Sequence, residues 1–219
     1  MEVMPEGKLE ASIIGVDLGQ ARDFTAIAVV QQRQDYKGWP NEDERIGSPY
    51  YKVLFLHRLP LGTDYTVAVD VVKRMAQDLK DKHKKPEIVI DFTGVGRPIY
   101  NMFQAVRIHP YGIGIHGGRE ESRDGRIFNV PSRDLSAVLQ VLYQQKRINV
   151  SNKLKDAQVL NDELLNFQVK INAETGHDSY SHRSGKHDDY VLAVACACWL
   201  GEKGLRRVMA SNLKRKLGL

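Results

Sequence analysis

Three apolar segments separated by polar turns open the chain. Residues 12–17 and 25–30 are rich in isoleucine, valine and alanine, and the turn between them contains Gly19 and Asp23, so they predict a hairpin. The polar segment 31–50 contains two glycines and two prolines and predicts a loop, after which residues 51–59 predict a third strand. We therefore expect three antiparallel strands in a row.

A helical spacing of apolar residues replaces this pattern further along. Apolar side chains recur every three or four positions between residues 67 and 79 and predict a helix. Residues 87–91 are β-branched and predict a short buried strand, and the turn 93–96 leads into a second helix that ends near residue 106. Asp91 is thus expected at the carboxyl end of a strand.

Strands and helices alternate in the rest of the chain. The pattern predicts a strand at 111–115, a glycine-rich charged loop at 116–126, a helix from Pro131, a helix at 154–167, a loop or small hairpin at 173–186 and an apolar helix at 187–200. This order predicts a mixed α/β sheet, antiparallel at its start and parallel in its continuation, with α-helices flanking it. The arrangement is the outline of the RNase H-like fold.

The length and composition fit one such domain. A chain of 219 residues with 42% hydrophobic and 27% charged residues can bury a well-packed core. We predict a domain at residues 12–203, between an N-terminal tail at 1–11 and a basic C-terminal tail at 204–219. Because no apolar stretch has the length of a signal-peptide core or a membrane helix, we expect a soluble protein without a membrane partner.

Charge and cysteine content add little to this picture. The net charge of +5 at pH 7 favours a polyanionic partner such as nucleic acid, although many basic proteins bind none. Cys196 and Cys198 lie two positions apart in the apolar segment 187–200, where helical side chains point in different directions. They are predicted to be packing residues.

Four aspartates occupy positions that a mixed sheet can bring to one edge. Asp17 and Asp91 end predicted strands, and Asp188 and Asp189 begin the last predicted helix. Clustered carboxylates repel one another unless a divalent cation neutralises them, and oxygen ligands favour Mg²⁺ or Mn²⁺. Two such ions would support hydrolysis of a phosphodiester. Each aspartate taken alone has an ordinary alternative role, as a turn former or as a helix cap.

The same segments resemble the nuclease domain of the large terminase subunit of tailed bacteriophages. The resemblance rests on residues 15–19 (GVDLG), 91–96 (DFTGVG), 130–133 (VPSR) and 187–189 (HDD), which occur in the family's order and span most of the chain. It implies that Asp17, Asp91 and Asp189 are the catalytic metal ligands, with Asp188 as an additional or alternative ligand.

The resemblance also implies a substrate and partners. A protein of this kind would be a two-metal-ion endonuclease that cuts double-stranded viral DNA with low sequence specificity during genome packaging, in the host bacterial cytoplasm. Its expected partners are the ATPase domain of the same terminase, the portal and the small terminase. The G-x-x-x-x-G-K-[ST] phosphate loop of an ATPase motor is absent from the sequence, so we expect only the nuclease domain here.

Two basic segments are candidates for holding DNA phosphates. The first contains Arg119, Arg123 and Arg126, and the second contains His182, Arg183, Lys186 and His187, just before the aspartate pair. Charged loops are also common as solvated surface, so both interpretations stay open.

Three other functional classes remain possible from the sequence. A Holliday-junction resolvase or another RNase H-like nuclease would keep the carboxylates and bind a different nucleic acid. A sugar kinase or an actin-like ATPase would share the opening hairpin but needs a second glycine-rich phosphate loop and a longer chain. A non-catalytic DNA-binding or assembly module would tolerate the loss of Asp17 and Asp91.

Overall fold

A mixed β-sheet forms the centre of the protein, seen here in a computed structural model. The structure describes residues 6–19, 23–37, 45–81, 86–167, 170–171, 178–179 and 188–204. The strands of the central sheet are β1 (Glu6–Asp17), β2 (Ala26–Lys37), β3 (Arg45–Arg58), β4 (Glu87–Asp91), β5 (Tyr111–His116), β6 (Ser122–Asp124), β7 (Ile127–Pro131) and β8 (Ile148–Val150). The helices are α1 (Tyr65–Asp81), α2 (Arg97–Ala105), α3 (Ser132–Gln144), α4 (Ala157–Asn166) and α5 (Asp189–Trp199), and a π-helical turn, Leu200–Gly204, follows α5.

The strand order confirms the predicted fold class. The eight strands follow the order β6-β7-β5-β4-β1-β2-β3-β8. Strands β1, β2 and β3 are antiparallel neighbours, whereas β4, β5 and β7 continue the sheet from β1 in parallel. The antiparallel start and the parallel continuation are thus those expected of an RNase H-like sheet. A separate two-stranded ladder joins β9 (Lys170–Ile171) and β10 (Asp178–Ser179), in or beside the segment predicted as a loop or small hairpin.

Helices cover both faces of the sheet. On one face, Ile13 and Val89 pack in a core with α5, against which α3 and α4 also pack. On the other face, Ile14 and Ile90 belong to a second core with α1 and α2. Because side chains alternate across a strand, every second residue of β1 and β4 faces α5.

Helix α5 lies deep in the protein. All of its residues are buried, including the free thiols of Cys196 and Cys198, so both cysteines are packing residues as predicted. Trp199 also packs in this core, edge-on against Phe128 with 5.0 Å between ring centroids. Among the described segments, none of the helices combines the length and apolar character that a membrane span needs.

The prediction of a loop at 31–50 was wrong at both ends. Strand β2 continues to Lys37 and β3 begins at Arg45, and β1 begins at Glu6 rather than at residue 12. Polar side chains concealed this extension, because they find partners inside the fold. Gln32 donates hydrogen bonds to the hydroxyl of Tyr51 at 3.1 Å and to the carbonyl of Gly201 at 2.9 Å.

Short edge strands were also missed. The predicted loop at 116–126 contains β6, and β7 and β8 had no predicted counterpart. Helix α3 begins at Ser132, with Pro131 as the last residue of β7, and α4 begins at Ala157 rather than at residue 154. Strands of three to five residues show too little periodicity to stand out from a loop. The remaining predicted strands and helices occur within a few residues of their expected bounds.

Candidate active site

Two aspartates lie side by side where the parallel strands β1 and β4 end. Asp17 is paired with Asp91 in the register of the two strands, two residues beyond the pair Gly15 and Val89. Since Ile13 and Val89 face α5, the alternation of side chains places Asp17 and Asp91 on the same face. The aspartates that the sequence pattern placed at two strand ends are therefore neighbours at one edge of the sheet.

Helix α5 brings the other two aspartates to this edge. Asp188 is the N-cap residue of α5 and Asp189 is its first helical residue. Asp189 is almost fully buried, with 2% of its surface exposed. The helix directs its N-terminus, where the helix dipole is positive, toward the strand ends. This end of the helix is therefore a favourable place for negative charge.

All four aspartates line one cleft. Its volume is about 540 Å³, and its other lining residues include Asp23, Tyr65, Thr93 and His116. From the sequence, Asp23 was predicted only as part of the turn after the first strand, and Tyr65, Thr93 and His116 carried no predicted role. Their position beside the aspartates in the folded protein marks them as part of the site.

Burial and mutual repulsion raise the pKa values of the aspartates in the cleft. Burial raises the pKa of Asp17 well above its usual range, and the neighbouring carboxylates of Asp91 and Asp189 raise it further. Burial also raises the pKa of Asp91 to about 6, although the hydrogen bonds of Thr93 oppose this shift. Each ionised carboxylate raises the free-energy cost of ionising the next one. A positive ion in the cleft would offset both the cost of burying these charges and their mutual repulsion.

The donor set fits Mg²⁺ or Mn²⁺. The four predicted ligands offer carboxylate oxygens, the hard donors that these ions prefer. Within the described residues, no three His, Cys, Asp or Glu side chains are already arranged to hold a metal ion.

Thr93 holds Asp91 in place. Its backbone N–H donates to Oδ1 of Asp91 at 2.8 Å, and its hydroxyl Oγ1 accepts a hydrogen bond from the N–H of Ile115 at 2.7 Å. The turn after β4 is thereby tied to the end of β5. The Asp91 carboxylate is therefore oriented by the Thr93 N–H in the turn after β4, and Thr93 is itself anchored to β5.

A buried charge cluster lies behind Asp189. Nη2 of Arg58, the last residue of β3, is 3.1 Å from Oδ2 of Asp189 and also contacts Oε1 of Glu163 on α4. The second carboxylate oxygen of Glu163 accepts a hydrogen bond from the N–H of Val191 at 3.1 Å. Burial raises the pKa of Glu163 to about 7, while the Val191 N–H and Arg58 lower it. No local sequence signal marked Arg58 or Glu163, since their partners are distant in the chain.

The predicted DNA-binding arginines lie away from the lining of the cleft. Arg119 and Arg123 are exposed, and the guanidinium of Arg123 lies 4.7 Å from the centre of the Phe128 ring. Arg126 stacks over Tyr111 at 3.8 Å and donates to Oε2 of Glu87 at 3.3 Å. Arg126 therefore has a structural role whether or not it also contacts DNA. The second predicted group (His182, Arg183, Lys186 and His187) lies outside the described residues.

Comparison with known proteins supports the fold assignment. Neither protein-family models nor curated proteins give a match to this sequence. Among solved structures, the large terminase nuclease from thermophilic phage G20c is similar with a TM-score of 0.56 and 20% identity, over 86% of this chain and 81% of that chain. The human cytomegalovirus terminase nuclease domain, soaked with Mn, gives a TM-score of 0.48 and 14% identity, over 90% and 85% of the two chains. The chain has the fold of a terminase large-subunit nuclease domain.

Proposed function

We propose that this protein is a metal-dependent endonuclease that cleaves double-stranded DNA. The observation that carries the proposal is the pairing of Asp17 with Asp91 at adjacent parallel strand ends, in a cleft that Asp188 and Asp189 also line. Carboxylates gathered in this way are costly to the fold, with pKa values raised by burial and by one another. Such a cost is expected where the cluster binds cations.

The proposed ligands are Asp17, Asp91 and Asp189, with Asp188 as an additional or alternative ligand. When bound, two Mg²⁺ or Mn²⁺ ions would supply an activated water and stabilise the leaving oxygen of the phosphodiester. Thr93 keeps the Asp91 carboxylate oriented through its backbone N–H. Asp188 and Asp189 differ in exposure, since Asp188 is half-buried and Asp189 is buried.

The proposed setting is viral genome packaging. The likeness of the fold to a phage large terminase nuclease and the net charge of +5 support a DNA substrate. In this setting the nuclease cuts concatemeric viral DNA with low sequence specificity in the host bacterial cytoplasm. It acts with the ATPase domain of the same terminase, the portal and the small terminase, and the assembled motor determines where the cut falls.

Cleavage of supercoiled plasmid tests the proposal. The native chain is incubated with Mn²⁺, Mg²⁺ or EDTA, beside Asp91→Asn and Asp189→Asn, and Asp35→Asn serves as a control on an aspartate of β2 that is remote from the cleft. We expect nicking and linearisation that need the metal, persist in Asp35→Asn and are lost in both cleft variants. Cleavage that is as fast in Asp91→Asn and Asp189→Asn as in the native chain, or no cleavage with any metal, would contradict the proposal.

The same preparation separates the terminase interpretation from a resolvase. Equal amounts of a linear duplex and a four-way junction are offered with Mn²⁺, and the initial rates of cleavage are compared. A terminase nuclease is expected to cut the linear duplex at least as well as the junction. A strong preference for the junction would favour the Holliday-junction resolvase class instead.

A further inference from the structure

Arg58 places a positive charge directly against a proposed metal ligand. Its Nη2 atom lies 3.1 Å from Oδ2 of Asp189, and its guanidinium lies over the rings of Phe24 and Tyr190 at 4.7 and 4.6 Å. Both carboxylates that it contacts are almost fully buried. An unbalanced arginine at this position would repel a divalent cation and would hold the Asp189 carboxylate for itself.

Glu163 supplies the balancing charge. It contacts the same Nη2 atom of Arg58 through Oε1, and its other oxygen accepts the Val191 N–H at 3.1 Å. Val191 lies in the first turn of α5, whose backbone N–H groups lack partners within the helix. Glu163 is therefore fixed at two points, by Arg58 and by the helix that begins with Asp189.

We infer that Glu163 is a positioning residue for metal binding, which neutralises Arg58 and thereby leaves the charge of Asp189 to a cation in the cleft. This role rests on the proposed metal-dependent function. It goes beyond that function because Glu163 is not among the lining residues of the cleft and would not touch the metal. The Arg58–Glu163 pair connects β3 and α4 to the proposed metal ligand at the N-terminal end of α5.

Direct Mn²⁺ binding, measured by calorimetry in the absence of DNA and at a pH above the pKa of Glu163, tests the inference. Glu163→Gln keeps the size of the side chain and an acceptor for the Val191 N–H, but removes the charge. We expect its dissociation constant for Mn²⁺ to rise about tenfold, in the range found when residues that support metal ligands are replaced. The double variant Arg58→Gln with Glu163→Gln removes both charges and should recover part of the lost affinity.

A second, partly buried arginine–glutamate pair provides a matched control. Arg147 Nη1 lies 2.9 Å from Oε1 of Glu202, and neither residue lines the aspartate cleft. Glu202→Gln should bind Mn²⁺ like the native chain, even if its thermal midpoint falls as much as that of Glu163→Gln. This comparison separates a specific effect on the metal from a general loss of stability.

Each outcome bears on the inference. Unchanged Mn²⁺ affinity in Glu163→Gln would overturn this role alone, and so would a double variant that binds no more tightly than Glu163→Gln. A native chain that binds no Mn²⁺ would overturn the proposed function and this role together. Weaker binding in Glu163→Gln that the double variant partly restores, with Glu202→Gln unaffected, is the expected result.

Discussion

Gly15 lies against the backbone of Ala193, and this contact sets the distance between β1 and α5. A Cβ atom added at Gly15 would lie 2.0 Å from the carbonyl oxygen of Ala193 and 3.0 Å from Cβ of Ala197. Any larger side chain must push the helix away from the strand. Because Asp17 follows on the strand and Asp189 begins the helix, the spacing of the proposed metal ligands depends on this glycine.

Gly15→Ala should therefore impair both stability and activity. We expect a loss of about 1 to 3 kcal/mol in the free energy of unfolding, the usual cost of overpacking, and weaker metal-dependent cleavage as Asp17 and Asp189 separate. Denaturant unfolding and plasmid cleavage measure the two effects. Gly47→Ala is the control, since its positive φ of 69° strains an alanine although no atom of the described residues lies within 4 Å of the added Cβ. If Gly47→Ala loses as much cleavage activity as Gly15→Ala when the two variants are equally stable, the contact between Gly15 and Ala193 does not explain the loss of activity.

Removing a carboxylate from the cleft should stabilise the metal-free protein. In Asp17→Asn, the cost of burying a charge and its repulsion by Asp91 both disappear. We expect the free energy of unfolding in EDTA to rise by about 1 to 2 kcal/mol, while the stabilisation that Mn²⁺ gives the native chain is lost. Thermal unfolding with and without Mn²⁺ measures both. A variant less stable than the native chain in EDTA would mean that the Asp17 carboxylate has favourable partners in the fold.

The stability of the metal-free protein should fall as the pH rises. Asp91 and Glu163 have folded-state pKa values of about 6 and about 7, above their usual values of 3.8 and 4.5. Between about pH 4 and pH 7 the folded state thus keeps protons that the unfolded chain has released, so the unfolding free energy decreases with rising pH. Each group should contribute roughly 1 to 3 kcal/mol across this range. Affinity for Mn²⁺ should change in the opposite direction, because its ligands must be ionised.

Unfolding in EDTA at a series of pH values tests this dependence. Asp91→Asn should give a flatter profile than the native chain, because one of the groups that keep a proton in the folded state is gone. Asp35→Asn, on β2 and away from the cleft, should leave the native profile unchanged. A native profile that rises from pH 4 to pH 7 would show that other groups outweigh Asp91 and Glu163.

The predicted DNA-binding arginines should separate into two kinds. Arg126→Ala removes the stacking on Tyr111 and the contact with Glu87, so we expect about 1 kcal/mol less stability. Arg119→Ala alters an exposed side chain and should leave stability unchanged. If Arg119 contacts a phosphate, its loss weakens DNA binding. The slope of the logarithm of the binding constant against the logarithm of the salt concentration then becomes shallower by about one. Binding isotherms at several salt concentrations decide this, and an unchanged slope would remove Arg119 from the DNA-binding surface.

The local pattern of the sequence was sufficient to predict the strands and the helix that carry the aspartates. The β-branched segments that end at Asp17 and Asp91 predicted buried strands, and the apolar segment after Asp189 predicted a buried helix. The order of these elements predicted a mixed sheet, in which parallel strands end at one edge. The fold class and the gathering of the aspartates could be predicted because each rests on short-range periodicity and chain topology.

The buried polar and charged side chains depend on contacts between segments that are distant in the chain, which the local sequence pattern did not predict. Gln32 is polar yet buried in a long strand, because Tyr51 and Gly201 accept its hydrogen bonds across the fold. Glu163 reaches Arg58 across a separation of 105 residues, and nothing near either residue in the chain indicates the pair. Periodicity reports which face of an element is apolar, but a buried polar or charged side chain is stable only beside a specific partner. That partner is determined by the tertiary structure alone.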